Sequence, residues 1–352
     1  MKPSWLFLPI APLYGLATVL RNWFFDKGIF RSIDVGVPVI SVGNISTGGT
    51  GKTPIVKNVA SILIESGKKV AIISRGYGRS STGTVIVSDG KNIMVDADSG
   101  GDEPLLLAEQ LRNVIVIVDE DRVRGAKKAI EEFGATVIVL DDGFQHRRIK
   151  RSKNIVLIDF QHSPFDTFLL PAGYRRELIS SFNRADGVVV TKANDMNEAL
   201  PMLKYSEFDS IPNKFSSSFQ PSGIRHLFGR KLDSLSGVKQ SLEMLKGQTA
   251  IALCGIARPE SFQQSLEQCS VRVKKYFNFS DHHAFTQDDI EKVVNSFNTN
   301  NADFIITTEK DAVRLKEFET ILKQLPIVML TMEVVMHQPE EWKKYILNGL
   351  RS

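Results

Sequence analysis

The stretch SVGNISTGGTGKTP, Ser41 to Pro54, constrains this chain more than any other, because it leaves the apolar run VPVISVG and leads into a helix-forming segment. Gly48, Gly49 and Gly51 supply backbone freedom where side chains would collide with a bound anion. Lys52 stands where a cation reaches the outer phosphates of a nucleotide, and Thr53 offers a hydroxyl to Mg²⁺. Pro54 falls in the first helical turn, where a missing N–H costs little. The common pattern G-x-x-x-x-G-K-[ST] would begin with glycine at position 46, and this chain has Ser46. Strand, glycine-rich loop and helix in that order place backbone N–H groups at a helix N-terminus, so Ser46, Thr47, Gly48, Gly49, Thr50, Gly51, Lys52 and Thr53 are read together as a nucleotide-binding loop.

The chain around the loop supports that reading. From Val37 to Thr191 the runs VPVISVG, KVAIISRG, VIVIVDE, TVIVLDD, NIVLIDF and GVVVTK alternate with helical stretches, and their unbroken apolar character suits strands covered on both faces. The class is α/β, P-loop NTPase-like, with a mostly parallel sheet flanked by helices. TVIVSDGKNIMV, with Asp89-Gly90 at its centre, reads as a hairpin, and PNKFSSSFQPSG at 212–223 reads as a domain link. TAIALCGIA, RPESFQQSLEQ, DFIITTEKD and PIVMLT describe a second, smaller α/β domain. The expected division is 1–30 as an N-terminal hydrophobic segment, 31–222 as the nucleotide-binding domain and 223–352 as the C-terminal domain.

Composition excludes several classes. A formal net charge of +4, from 44 Lys and Arg against 40 Asp and Glu, is not that of a dedicated nucleic-acid binder, and no interleaved aromatic and basic platform is present. Cys254 and Cys269 have no metal-ligand spacing, which points to a reducing compartment. WLFLPIAPLYGLATVLRNWFF has no acidic residue before Asp26. Its uncharged part, Trp5 to Leu20, would be about 24 Å long as a helix, short of the ~20 residues that cross a bilayer. With Pro9 and Pro12 breaking its first half and Arg21 among aromatics at its end, it reads as an interfacial, membrane-associating segment, against the alternatives of a packed hairpin or a cleaved signal.

A phosphate loop needs acids at a neighbouring strand end, and ATVIVLDDGFQH supplies Asp141 and Asp142. VVVTKAND resembles a guanine-reading [NT]-K-x-D pattern, but Asp195 comes one residue late, so ATP is expected. In DADSGGDEPLLLAEQL, Asp102 and Glu103 open an amphipathic helix; they either cap it or divide the work of proton acceptor and metal holder. His282, in SDHHAF, is either a solvated cap residue or a catalytic partner. The run HRRIKRSK, and Arg175 with Arg176, form a solvated face or meet an anionic substrate.

Taken in order behind a hydrophobic N-terminus, SVGNISTGGTGKTP, SRGYGR, GDEP, LDDGFQHR, LPAG, DHH and TEKDAVRL resemble the tetraacyldisaccharide 4′-kinase family, the lipid A 4′-kinases of Gram-negative bacteria, over nearly the whole chain. The resemblance implies phosphoryl transfer from ATP, with Mg²⁺, to the 4′-hydroxyl of a lipid A disaccharide 1-phosphate at the cytoplasmic face of the inner membrane, without an obligate protein partner. It implies Asp102 as base paired with His282, Lys52 on the phosphates, and Thr53, Glu103, Asp141 and Asp142 around the metal. Tyr77 and Arg122 are expected to line the nucleotide site. After LPAG this chain reads YRRE where the family usually has a Pro-Leu-Arg-Glu type run, which makes Glu177 a further expected metal contributor and leaves Arg175 against Arg176 open. The rival is a membrane-associated P-loop ATPase of the partitioning type. Its signature lysine would stand where this chain has Thr47.

Overall fold

The computed structural model describes residues 5–228, 241–281 and 283–350. The chain forms two compact units, Met1–Ser218 with Val334–Ser352, and Phe219–Glu333.

The first unit carries β1 (Val39–Asn44), β2 (Val70–Ser74), β3 (Val85–Asp89), β4 (Ile115–Val118), β5 (Val137–Asp141), β6 (Lys153–Asp159), β7 (Gly187–Thr191) and the start of β8 (Asn213–His226). Their order is β8-β7-β6-β1-β5-β2-β4-β3. Every pairing is parallel except that of β3 with β4. Central strands β1, β2, β4, β5 and β7 are buried at every position, as their unbroken apolar sequences require.

Helices cover the sheet for legible reasons. The helix Arg122–Phe133 begins where the Asp121 side chain accepts the Val123 N–H and ends at Gly134, whose φ of 63° only glycine adopts readily. Its Val123, Ala126 and Ala129 pack on Ala71, Ile73, Ile117 and Leu140 of the strands. A second core joins Phe144, Val156, Ile158, Phe182, Val188, Val190 and Phe208.

Two expectations change. The hairpin at Asp89-Gly90 keeps its turn, in which the Asp89 carboxylate accepts from the Lys91 and Asn92 amides at 2.7 and 2.6 Å, but its return arm is a single bridge, Ser88 to Ile93. The segment expected as a link does hold the boundary between the two units, after Ser218, but as strand β8 with Phe215, Ser216, Ser217 and Ser218 buried. Its hydroxyls make it look like a loop, yet Ser216 Oγ finds a partner inside, His337 Nδ1 at 2.7 Å.

The second unit is a parallel sheet in the order β10-β9-β11-β12, from β9 (Thr249–Cys254), β10 (Arg272–Asn278), β11 (Phe304–Thr308) and β12 (Ile327–Met336). The sequence offers 223–352 as one domain, whereas residues from Val334 onward group with the first unit. Buried Trp342, on the helix Pro339–Leu347, is the anchor: its indole N–H donates to Asn58 Oδ1 at 2.8 Å and its ring packs edge-on against Phe215.

At the N-terminus, the helix Ala11–Asp26 has two faces. Ala11 packs on Leu169 and Ala172, and Gly15 lets the helix approach Leu169 closely, since a Cβ there would lie 2.9 Å from Leu169 Cδ1. Tyr14 Oη donates to the Arg176 carbonyl at 3.0 Å, and Asn22 Nδ2 to Glu177 Oε2 at 2.7 Å. The other face is apolar and open to solvent, with Leu13 66% and Leu16 56% exposed beside Leu20 and Trp23. Among the described residues no helix is long and apolar enough to cross a membrane.

Candidate active site

β1, β2 and β5 run parallel, so Asn44, Ser74 and Asp141 end at one edge of the sheet, where open α/β sheets hold ligands. The loop leaves β1 there and enters the helix Lys52–Glu65. Gly48 and Gly51 have φ of 105° and 81°, the left-handed region that the glycine-rich pattern serves. Ser46 does not have a positive φ. It forms an antiparallel bridge with Arg175, flanked by Arg176 N–H to Ile45 O at 2.7 Å and Thr47 N–H to Tyr174 O at 2.8 Å. The missing first glycine therefore reflects a loop whose opening residues are extended and braced by the LPAGYRR segment. Within that brace Gly173 is compulsory, since a Cβ would meet Phe168 O at 2.3 Å.

The acids gather at the helix start. Thr53 Oγ1 donates to Glu103 Oε2 at 3.0 Å, which joins the first turn of the helix Asp102–Gln110 to that of Lys52–Glu65. Gly101, with φ 86°, lets the chain turn there, and a Cβ on it would lie 3.3 Å from Gly76 Cα of SRGYG. Half-buried Asp102 is the first residue of its helix. Lys52 Nζ lies 3.8 Å from Asp142 Oδ1, and Arg176 Nη1 is 2.7 Å from Asp142 Oδ2. Burial works to raise the Asp142 pKa, but Lys52 and Arg176 outweigh it and hold the carboxyl below its usual range.

Asp141 is the opposite case. Burial pushes its pKa up to about 7, with the negative charges of Glu103 and Asp142 adding to the rise and Lys52 and the Ser74 hydroxyl opposing it. Ser74 Oγ donates to Oδ2 at 2.9 Å, while Oδ1 is buried without a hydrogen-bond partner. Asp141 is thus a buried carboxyl with an unsatisfied oxygen beside two other acids. Buried Arg122 donates to the carbonyls of Asp119 and Glu120 at 3.2 and 3.4 Å; burial lowers its pKa and the charges of Asp141 and Asp142 raise it. Tyr77 stands 75% exposed on the SRGYG loop.

Not every expected residue joins this cluster. Glu177 is 1% exposed, and its carboxylate accepts from Asn22 Nδ2 at 2.7 Å, Ser181 Oγ at 2.9 Å and Arg184 Nη2 at 2.9 Å. That set of donors ties the N-terminal helix down, and none of them belongs to the cluster around Lys52. Among the described residues no three His, Cys or carboxylate groups form a closed metal cage. His282 lies outside the described residues. In its neighbourhood in the second unit, Arg314 donates to the carbonyls of His283 and Gly255 at 2.7 and 3.0 Å and pairs with buried Asp311, which gives TEKDAVRL a structural task.

Arg176, rather than Arg175, reaches the acid cluster; the Arg175 backbone serves the bridge to Ser46. Sequence reasoning gave no part to Ser74 or Thr191 and met Lys192 only within the guanine-like pattern that Asp195 breaks. Ser74 and Thr191 end β2 and β7 with a hydroxyl, which was the available signal.

The profile of the family described as tetraacyldisaccharide-1-P 4'-kinase matches residues 3–351. A tetraacyldisaccharide 4'-kinase of Syntrophus aciditrophicus is 35% identical over 362 residues, covering 100% of this chain and 94% of that one. One of Chlorobaculum parvum is 37% identical, covering 92% and 87%. Among solved structures, "apo" form LpxK from Aquifex aeolicus in complex with ATP superposes with a TM-score of 0.77 at 31% identity, covering 98% of each chain.

Proposed function

Because the chain belongs to the tetraacyldisaccharide-1-P 4'-kinase family, we propose that the cluster around Lys52 is where it carries out that family's phosphoryl transfer. The enzyme transfers the γ-phosphate of ATP to the 4′-hydroxyl of a tetraacyldisaccharide 1-phosphate, the lipid A precursor, and works with Mg²⁺. The partitioning ATPase is not favoured: Thr47 occupies the place of its signature lysine.

The observation that carries the assignment of roles is the Thr53 to Glu103 hydrogen bond, beside an Asp141 whose free oxygen is buried and whose charge is opposed by its neighbours. Thr53, Glu103 and Asp141 fit a divalent cation, which when bound would offset the charge of the outer phosphates. Asp142 balances Lys52 and Arg176 at the edge of that set. Lys52 and the loop amides hold the phosphates, and Arg122 and Tyr77 line their approach. Asp102, beside the metal holder Glu103, accepts the proton of the 4′-hydroxyl; the part given to His282 rests on the family resemblance alone. A carboxylate in that place contributes as a general base, typically about 10²–10⁴ in rate.

We further propose that the open face of the helix Ala11–Asp26 lies on the cytoplasmic side of the inner membrane, peripherally, where both ATP and a lipid acceptor are reached. The test is γ-labelled ATP with purified enzyme, lipid A disaccharide 1-phosphate and the Asp102→Ala variant. Label should enter the lipid with the wild type, while the variant keeps ATP affinity and loses about 10²-fold or more in turnover. A variant with wild-type turnover would remove Asp102 from the reaction.

A further inference from the structure

The end of β7 touches the nucleotide loop at two successive peptide units. Lys192 Nζ donates to the Gly49 carbonyl at 2.6 Å and pairs with Asp159 Oδ2 at 2.7 Å. The Thr191 hydroxyl donates to the Thr50 carbonyl at 2.9 Å. A peptide unit is planar with its N–H and C=O directed oppositely, so holding the carbonyls of Gly49 and Thr50 sets where the N–H groups of Thr50 and Gly51 point. The Thr50 N–H donates to the Gly48 carbonyl at 3.0 Å, and the Gly51 amide belongs to the run that wraps a phosphate at the helix start.

The lysine is placed for this by its own backbone. Its φ is 64°, a conformation uncommon for a residue with a side chain. Such positions persist where surrounding contacts over-determine them, and they gather at functional sites. The Lys192 side chain is 15% exposed and that of Asp159 0%, so the cation is held between a buried carboxylate and the loop.

We infer that Lys192, with Thr191, is a positioning residue of the nucleotide loop: together they hold the Gly49 and Thr50 carbonyls toward β7, which sets the course of the loop and aims the Gly51 amide at the phosphates of ATP. The inference rests on the reading of residues 46–53 as the ATP site. It also accounts for VVVTKAND. The lysine of that segment serves the loop, while Asp195 accepts the Glu198 N–H at 2.9 Å and caps the helix Met196–Leu203, which occupies the carboxylate a guanine-reading site would need.

The experiment uses the full chain, with ATP binding measured by calorimetry and KM measured separately for ATP and for the lipid acceptor. Lys192→Met alone would take the lysine cation away from a buried carboxylate, so the informative variant is Asp159→Asn with Lys192→Met, alongside Lys192→Arg and Thr191→Val. Loss of a charge-assisted hydrogen bond to the loop should raise Kd and KM for ATP about tenfold in the double variant. The acceptor KM should stay unchanged, Lys192→Arg should recover part of the loss, and Thr191→Val should shift in the same direction. A folded double variant with wild-type ATP affinity, or an equal rise in both KM values, would overturn the proposal. A wild-type enzyme that fails to bind ATP would instead overturn the site reading beneath it.

Discussion

Replacing Glu177 by alanine or glutamine separates a carboxylate that holds the fold from one that holds a metal. In the structure it accepts from three donors, on the helix Ala11–Asp26, on Ser181 and on Arg184. Burial works to raise its pKa, but the Arg184 charge and the Asn22 and Ser181 hydrogen bonds outweigh it and hold the carboxyl below its usual range. Removing the carboxylate strands Arg184, which stacks 4.7 Å from the centre of the Phe144 ring beside Arg151, a guanidinium pushed down to about 9 by burial and by Arg184 itself. Breaking a buried pair from one side costs about 3–5 kcal/mol, a large share of the ~5–15 kcal/mol that keeps a protein folded. Glu177→Ala should therefore move the urea midpoint far down. Glu177→Gln keeps an acceptor for Asn22 and loses the charge, a loss of about 1.5–3 kcal/mol. Because the folded-state pKa is depressed, the carboxylate's contribution is present above the unfolded value of 4.5 and disappears as pH falls through the folded one, so the glutamine variant should lose less stability in acid than the wild type. The deciding assay is the Mg²⁺ dependence of turnover at saturating ATP, run beside the melts. Wild-type Mg²⁺ half-saturation in a destabilised Glu177→Gln protein is the expected result. Wild-type stability with a Mg²⁺ requirement raised about tenfold or more, the mark of a lost ligand or of its support, would refute the reasoning and return Glu177 to the metal.

Two further outcomes are expected. His146 is pushed down to about 4 by burial and by the Arg122 charge, so between its unfolded value of 6.5 and pH 4 the unfolded chain binds the extra proton; stability should fall as pH drops through that window. The loss is at most about 3 kcal/mol, reduced by the ring's partial exposure, and His146→Gln should flatten it in thermal melts from pH 7 to 4. Leu13→Glu with Leu16→Glu, both on the open face of the helix Ala11–Asp26, should abolish co-sedimentation with vesicles of anionic phospholipid while leaving the melting temperature within a few degrees of wild type; vesicle binding equal to wild type would remove that face from the membrane.

What the sequence made legible is local. β1, β2, β4, β5 and β7 announce themselves because a strand covered on both faces cannot alternate, and their runs of Val and Ile have no other use. The loop is legible for the same reason: its glycines, lysine and threonine act within one turn of chain. What stayed hidden depends on contacts between distant residues. Ser46 looks like a defect until Arg175 is seen bridged to it, and nothing in the sequence tells that Asn22 of the N-terminal helix reaches Glu177. β8 looks like a link because Ser216, Ser217 and Ser218 read as polar, although the Ser216 hydroxyl, paired with His337 Nδ1, buries at little cost. Lys192 stands in a segment that only resembles a guanine-reading pattern, and its carbonyl contact to Gly49 has no sequence pattern of its own.

The same contacts give the N-terminal helix a mechanical meaning. Tyr14 donates to the Arg176 carbonyl, the Arg176 guanidinium pairs with Asp142, and Asp142 faces Lys52, so three links run from the helix to the lysine of the loop. Asn22 holds Glu177 next to Arg176, and the Arg147 guanidinium donates to the Asn22 carbonyl at 3.0 Å, which fixes the helix at both ends of the same strip of chain. An acceptor whose acyl chains remain in the lipid offers only its sugar headgroup, at a set height above the surface. A phosphate donor that serves it has to be held at a matching height, which a flexible tether would not do. On the membrane reading proposed above, that height is set by hydrogen bonds between the helix and residues 145–177, the strip that also braces the phosphate loop.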